Sequence, residues 1–132
     1  MTVLIIAEHN NNTLNPATLH AVAAAQKLGA VHVLVAGNAA AAVAEQAKQV
    51  AGVEKVLLAE AVQFENALPE EVAPLVVSLA GAYSHIAATA TAFGKNLLPR
   101  VAALLDASQV SDVTEIIDAQ TFTHPIYAGN AF

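Results

Sequence analysis

The sequence contains no cysteine, which removes a disulfide framework, a thiolate metal site and a thiol nucleophile. Positive charge is nearly as scarce. Five Lys and Arg are scattered through 132 residues against eleven Asp and Glu, giving a net charge of −6. A nucleic-acid surface needs clustered Lys and Arg, so DNA and RNA are excluded as partners. Charge of either sign is thin, at 12% of residues, where an ordinary soluble domain carries roughly 25%. Hydrophobic residues make up 56% and mean hydropathy is +0.54. Such a chain either tolerates small apolar side chains on its outside, alanine above all, or presents a sizeable face that another molecule covers.

Long apolar runs do not add up to a membrane span. Val72 to Gly94 carries no charge over 23 residues, but Pro74, Gly81-Ala82-Tyr83-Ser84, His85, Thr89 and Thr91 break it into a helix, a turn and a strand. No membrane insertion is expected. The opening Met1-Thr2-Val3-Leu4-Ile5-Ile6 lacks the basic region and cleavage pattern of a signal peptide, and also the Arg-rich character of a transit peptide. The expectation is a cytoplasmic protein or an already processed one.

What is present is an alternation of strands and helices. Thr2–Ala7 is continuously apolar, as a strand buried on both faces should be. Glu8–Thr13 follows as a polar loop, and Asn15-Pro16 opens a helix through Leu19, Val22, Ala23 and Gln26 that ends at Gly29. Val31–Ala36 is a second strand with its turn at Gly37-Asn38. Val43, Ala47 and Val50 mark a second helix, stopped near Gly52. Val53–Ala59 is a third strand, and Glu60–Asn66 a loop. A helix over residues 68–81 carries a stripe of Leu68, Val72, Leu75, Val76 and Leu79, with Pro69 at its start and Pro74 predicting an internal irregularity. Ser84–Ala90 is a fourth strand. Phe93-Gly94-Lys95-Asn96 reads as a turn, with Asn96 capping a fourth helix that holds Pro99 in its first turn. Val113–Ile117 and Thr121–Tyr127 read as two extra strands. Gly129-Asn130 is a hairpin signal, followed by too few residues to return, which suggests that Phe132 does not end the folding unit.

Four strand–helix repeats predict an α/β fold: a parallel sheet with helices on both faces, doubly wound and Rossmann-like, forming a single domain with extra C-terminal strands.

The chemistry such a fold invites is hard to find. No G-x-G-x-x-G follows the first strand and no G-x-x-x-x-G-K-[ST] occurs. What remains is the strand–loop–helix passage at Thr89, Thr91, Gly94, Lys95 and Arg100, a candidate anion or interface loop. His9, His20, His32, His85 and His124 are far apart, with no metal-ligand spacing. His9, at the C-terminal end of the first strand, is the most interesting of them. No catalytic constellation assembles, so catalytic, cofactor-binding and metal residues are expected to be absent. A free-standing nucleotide-binding module of the universal-stress-protein type is the alternative reading, and a small hydrolase or lyase using His9 ranks behind it.

Residues Ala90 to Ala103, ATAFGKNLLPRVAA, strongly resemble the electron transfer flavoprotein α subunit. Supporting stretches are Ile5-Ile6-Ala7-Glu8-His9, Leu14–Thr18, His32 to Gly37, Val72 to Val76, Ser111-Asp112 and Pro125 to Ala131. The resemblance covers the whole chain. It implies an N-terminal domain, residues 1–132, without the C-terminal FAD-binding domain. It also implies a heterodimer with a β subunit, carrying one FAD. That heterodimer takes electrons from acyl-CoA-type dehydrogenases and passes them to a membrane quinone oxidoreductase. The segment holding most flavin contacts is not matched by any position here, so the resemblance assigns no flavin ligand to this chain.

Overall fold

In a computed structural model the chain is described over residues 2–66, 68–89, 91–105 and, by backbone alone, 115–118. The elements are β1 (Thr2–Ile6), α1 (Ala17–Gln26), β2 (Ala30–Gly37), α2 (Ala41–Lys48), β3 (Val53–Glu60), a 3-10 turn at Val62–Phe64, α3 (Pro69–Leu79), β4 (His85–Ala88), α4 (Ala92–Leu105) and β5 (Glu115–Asp118). The sheet order is β3-β2-β1-β4-β5. β1 pairs in parallel with both β2 and β4, and β2 in parallel with β3, whereas β5 runs antiparallel to β4. Within the described residues β5 realises the first expected extra strand, Val113–Ile117. The second, Thr121–Tyr127, and the hairpin signal at Gly129-Asn130 lie outside the described residues.

β1 sits in the middle because its sequence permits nothing else. Val3, Leu4, Ile5 and Ile6 are essentially without solvent contact, and alternate side chains point to opposite faces. Val3, Ile5 and Ala7 join Ala21, Val22 and Ala25 of α1 and Val43, Ala44 and Ala47 of α2 in one core. Leu4 and Ile6 join Val72, Ala73 and Val76 of α3 and Leu97, Leu98 and Val101 of α4 in the other. Each fully buried large side chain contributes on the order of 1.5–3 kcal/mol. The expected sheet with helices on both faces is therefore observed, its first four strands parallel and β5 antiparallel.

Two local expectations are corrected. Of the residues read at helical spacing in α1, Val22 is buried and Leu19 is exposed, and the buried face is Thr18, Ala21, Val22 and Ala25. Its side chains against the sheet are mostly small. The second correction concerns α4. Asn96 is not its cap, since the helix begins at Ala92 and its first backbone bond runs from the Lys95 N–H to the Thr91 carbonyl. Pro99 thus falls in the helix interior rather than in the first turn.

Gly94 explains the misplacement. It is a point of close approach and not a turn residue: a Cβ built there would stand 1.8 Å from the Thr89 carbonyl oxygen. The first turn of α4 rides directly on the end of β4, where only glycine fits. Gly94→Ala is expected to destabilise the fold by about 3 kcal/mol, because the clash is with backbone that cannot step aside. Gly81→Ala, where a Cβ meets nothing within 4 Å, is the control and should change stability by less than about 1 kcal/mol. Urea unfolding midpoints of the two variants check this, and equal midpoints would contradict the close-packing account.

Candidate functional site

Ligands of a doubly wound sheet bind beyond the C-terminal ends of the strands, where the strand order reverses. In the order β3-β2-β1-β4-β5 that point lies between β1 and β4. The residues gathered there are Glu8, just past β1, and Thr89 and Thr91, just past β4. Glu8 Oε1 accepts a hydrogen bond from Thr89 Oγ1 at 2.8 Å and from Thr91 Oγ1 at 2.6 Å, and the two hydroxyl oxygens are 2.8 Å apart. Thr89 is only 1% exposed. Hydrogen bonds to an ionised carboxylate are worth about 1.5–3 kcal/mol each when sheltered, so this contact ties the β1–α1 loop firmly to the start of α4.

The rest of that loop is equally occupied with the protein itself. His9 Nε2 lies 2.8 Å from the Ala36 carbonyl at the end of β2, and its Nδ1 accepts from the Asn11 N–H at 2.9 Å. Only the neutral ring with its proton on Nε2 satisfies both neighbours. Burial lowers the His9 pKa below the ordinary 6.5, against a smaller upward pull from the Ala36 carbonyl. Asn11 adopts φ 73°, a left-handed conformation that asparagine tolerates better than most residues. Its amide accepts from the Asn38 N–H at 2.8 Å and donates to the Glu65 carbonyl at 2.7 Å. Gly37 makes this possible, since a Cβ there would come within 2.6 Å of Asn11 Oδ1 and 2.8 Å of His9 Cε1. Farther along, Gln46 of α2 clamps the loop by accepting from the Leu14 N–H and donating to the Asn12 carbonyl. Asn15 Oδ1 accepts from the Ala17 N–H at the start of α1. An open recess of about 370 Å³ remains beside this loop, bordered by Glu8, Asn10, Thr13, Asn15 and Pro16.

Of the five residues singled out from sequence, the structure brings Thr89, Thr91 and Gly94 together. Lys95 and Arg100 stand exposed on α4, and neither side chain makes a hydrogen bond or ion pair among the described residues. Sequence reasoning missed Glu8. It read as one polar residue in a polar loop, although an acid directly after a doubly buried strand was a signal that something must answer its charge. His9, the most suggestive histidine in the sequence, proves to be a loop brace.

A second polar cluster lies at the opposite end of the sheet. His32 Nδ1 is 2.9 Å from the Tyr83 hydroxyl and its Nε2 2.9 Å from Glu54 Oε1. The His32 and Tyr83 rings meet edge to face at 5.4 Å, and burial raises the Tyr83 pKa. His85 is buried in β4 beside Ser84, and His124 lies outside the described residues. Among the described residues no group of three His, Asp or Glu is placed to hold a metal ion, and no helix is long and apolar enough to cross a membrane.

The topology and the position of the polar cluster define a doubly wound, Rossmann-like α/β domain whose switch point is engaged by its own side chains. The family model of the electron transfer flavoprotein domain matches residues 3–132, and the chain belongs to that family. It is 56% identical to the electron transfer flavoprotein subunit alpha of Pseudomonas aeruginosa, over 99% of this chain and 43% of that relative. Identity to the subunit alpha of Paracoccus denitrificans is also 56%, with the same coverage. The mitochondrial subunit alpha of Dictyostelium discoideum is 46% identical over 98% of this chain and 39% of its own length. The chain thus spans about two fifths of the curated relatives it matches. The resemblance carried by Ala90–Ala103 and the stretches around it is borne out.

His9 generates a pH prediction. A histidine whose pKa is lowered on folding binds protons more readily in the unfolded chain, so acid favours unfolding. Its contribution is complete above about pH 6.5 and is lost as pH falls toward the lowered value. Wild-type melting temperature is expected to fall more steeply on acidification from neutral pH than that of His9→Gln. Parallel pH profiles would show that His9 is not held neutral.

Proposed function

We propose that this chain is the non-flavin scaffold domain of an electron transfer flavoprotein α subunit. In this reading it is the N-terminal part of that subunit. It packs against the β subunit and against the remainder of its own chain, and it carries no catalytic residue. The complete heterodimer, with FAD held by the C-terminal domain, would move electrons from acyl-CoA-type dehydrogenases to a quinone oxidoreductase in the cytoplasm of a bacterial-type cell. The observation that carries the reading is the family match over residues 3–132 at 56% identity to two α subunits.

The chain's own residues support the division of labour. A flavin dinucleotide at the switch point would need backbone N–H groups or cations for its pyrophosphate. That position holds the Glu8 carboxylate, with both nearby threonine hydroxyls turned toward it, and no glycine-rich loop follows β1. These residues do not fit the cofactor. The scaffold's part is instead to keep a rigid sheet and loop edge against which the flavin-holding domain sits.

A covered face also has physical support. Leu58, Val62 and Leu68 are 42%, 77% and 43% exposed, and all three fall within residues 58–68, along the β3 edge of the sheet and the connection to α3. Apolar side chains gathered in this way mark surface that a partner shields, which would account for the low charge of the chain.

Residues 1–132 produced alone are expected to show no stoichiometric flavin absorbance and to be captured by an immobilised β subunit. Leu58→Asp with Val62→Asp should weaken capture by roughly tenfold or more if this edge lies at the contact. Stoichiometric flavin on the isolated chain would overturn the division of labour, and failure of capture would overturn the scaffold role. Micromolar binding of ATP or AMP would favour the nucleotide-binding alternative.

A further inference from the structure

The switch point of this fold holds an anion, and the anion belongs to the protein. Three features combine there. The strand order places the position between β1 and β4. Two hydroxyl donors, Thr89 and Thr91, converge on a single oxygen, Glu8 Oε1, at 2.8 and 2.6 Å. Thr91 immediately precedes α4, so that oxygen lies near the partial positive charge of a 14-residue helix.

We propose that Glu8 is the built-in occupant of the position where a ligand phosphate would otherwise bind, and that it closes this domain to phosphorylated ligands. Proton counting supports this. Each threonine has one hydroxyl proton, and both are given to the carboxylate. With both protons given to Glu8 Oε1, neither hydroxyl has one left for an incoming anion, and the 2.8 Å approach between the two oxygens has no further proton to offer. Thr89 cannot rotate toward solvent for a new partner, because it is 1% exposed. The space behind it is filled as well, since Gly94 brings the first turn of α4 onto the Thr89 carbonyl. A phosphate arriving from solvent would meet a like charge and an already satisfied pair of hydroxyls. Withdrawing the carboxylate reverses all of this. It frees both hydroxyls and removes the negative charge beside them, and Glu8 itself borders the recess beside Asn10 and Pro16.

The test is a titration of the full-length protein with inorganic phosphate and pyrophosphate against chloride at matched ionic strength, followed by melting temperature and by the amide resonances of residues 89 and 91. Wild type should show no saturable response. Glu8→Ala and Glu8→Ser should each gain a saturable rise in melting temperature with phosphate, and adding Thr89→Val should abolish it. Glu8→Gln retains an acceptor of the same shape, so it should fold and bind no phosphate. Saturable phosphate-dependent shifts at residues 89 and 91 of wild type would overturn the proposal whichever variants fold, as would folded Glu8→Ala and Glu8→Ser proteins that gain no binding. Because the readout is anion binding, neither result bears on association with a β subunit.

Discussion

A carboxylate at the end of a strand buried on both faces has to be met by donors, and here they come from a strand more than eighty residues away. The grip of Thr89 and Thr91 on Glu8 is the constraint on which the C-terminal edge of the sheet depends. It requires β1 and β4 to be neighbours in register, Ile6 opposite Ala88, so that the residues just beyond each strand meet. It also requires α4 to begin at once, because Thr91 belongs both to the cluster and to the first hydrogen-bonded turn of the helix. Gly94 then has no freedom to be anything larger.

From that anchor the β1–α1 loop reaches the residues that follow β2, β3 and β4. His9 holds the end of β2, Asn11 holds Asn38 and Glu65, and Gln46 of α2 holds Asn12 and Leu14. In a nucleotide-binding relative of this architecture the corresponding backbone would be free to cradle phosphate. Here its donors and acceptors are spent within the chain. The result is an edge whose loops are held to one another by hydrogen bonds within the chain.

How much of this was legible in the sequence depends on how far each contact reaches. Thr2–Ala7 declared itself as a central strand because burial on both faces removes polar residues altogether. Pro69 placed the start of α3 because a missing N–H is harmless only in the first turn. Where the determining contact was distant, local chemistry misled. Gly94 reads as a turn until the Thr89 carbonyl is seen beneath it, and Leu19 shares helical spacing with the buried Val22 yet is exposed. The same limit hid Glu8. Thr89 and Thr91 read as part of an anion or interface loop, but their partner is inside the chain and appears only once the strand order is known. The resemblance carried by Ala90–Ala103 did what periodicity cannot, and pointed to the family whose model matches residues 3–132.

The account stands or falls on whether the switch point stays closed when the protein is assembled. A crystal structure of the full-length, flavin-loaded protein with its β subunit tests this most directly. Glu8 Oε1 is expected to remain within hydrogen-bond distance of both Thr89 Oγ1 and Thr91 Oγ1, with the flavin held elsewhere. A Glu8 side chain swung out to solvent, with the pyrophosphate or another phosphate of a ligand on those two hydroxyls, would contradict it.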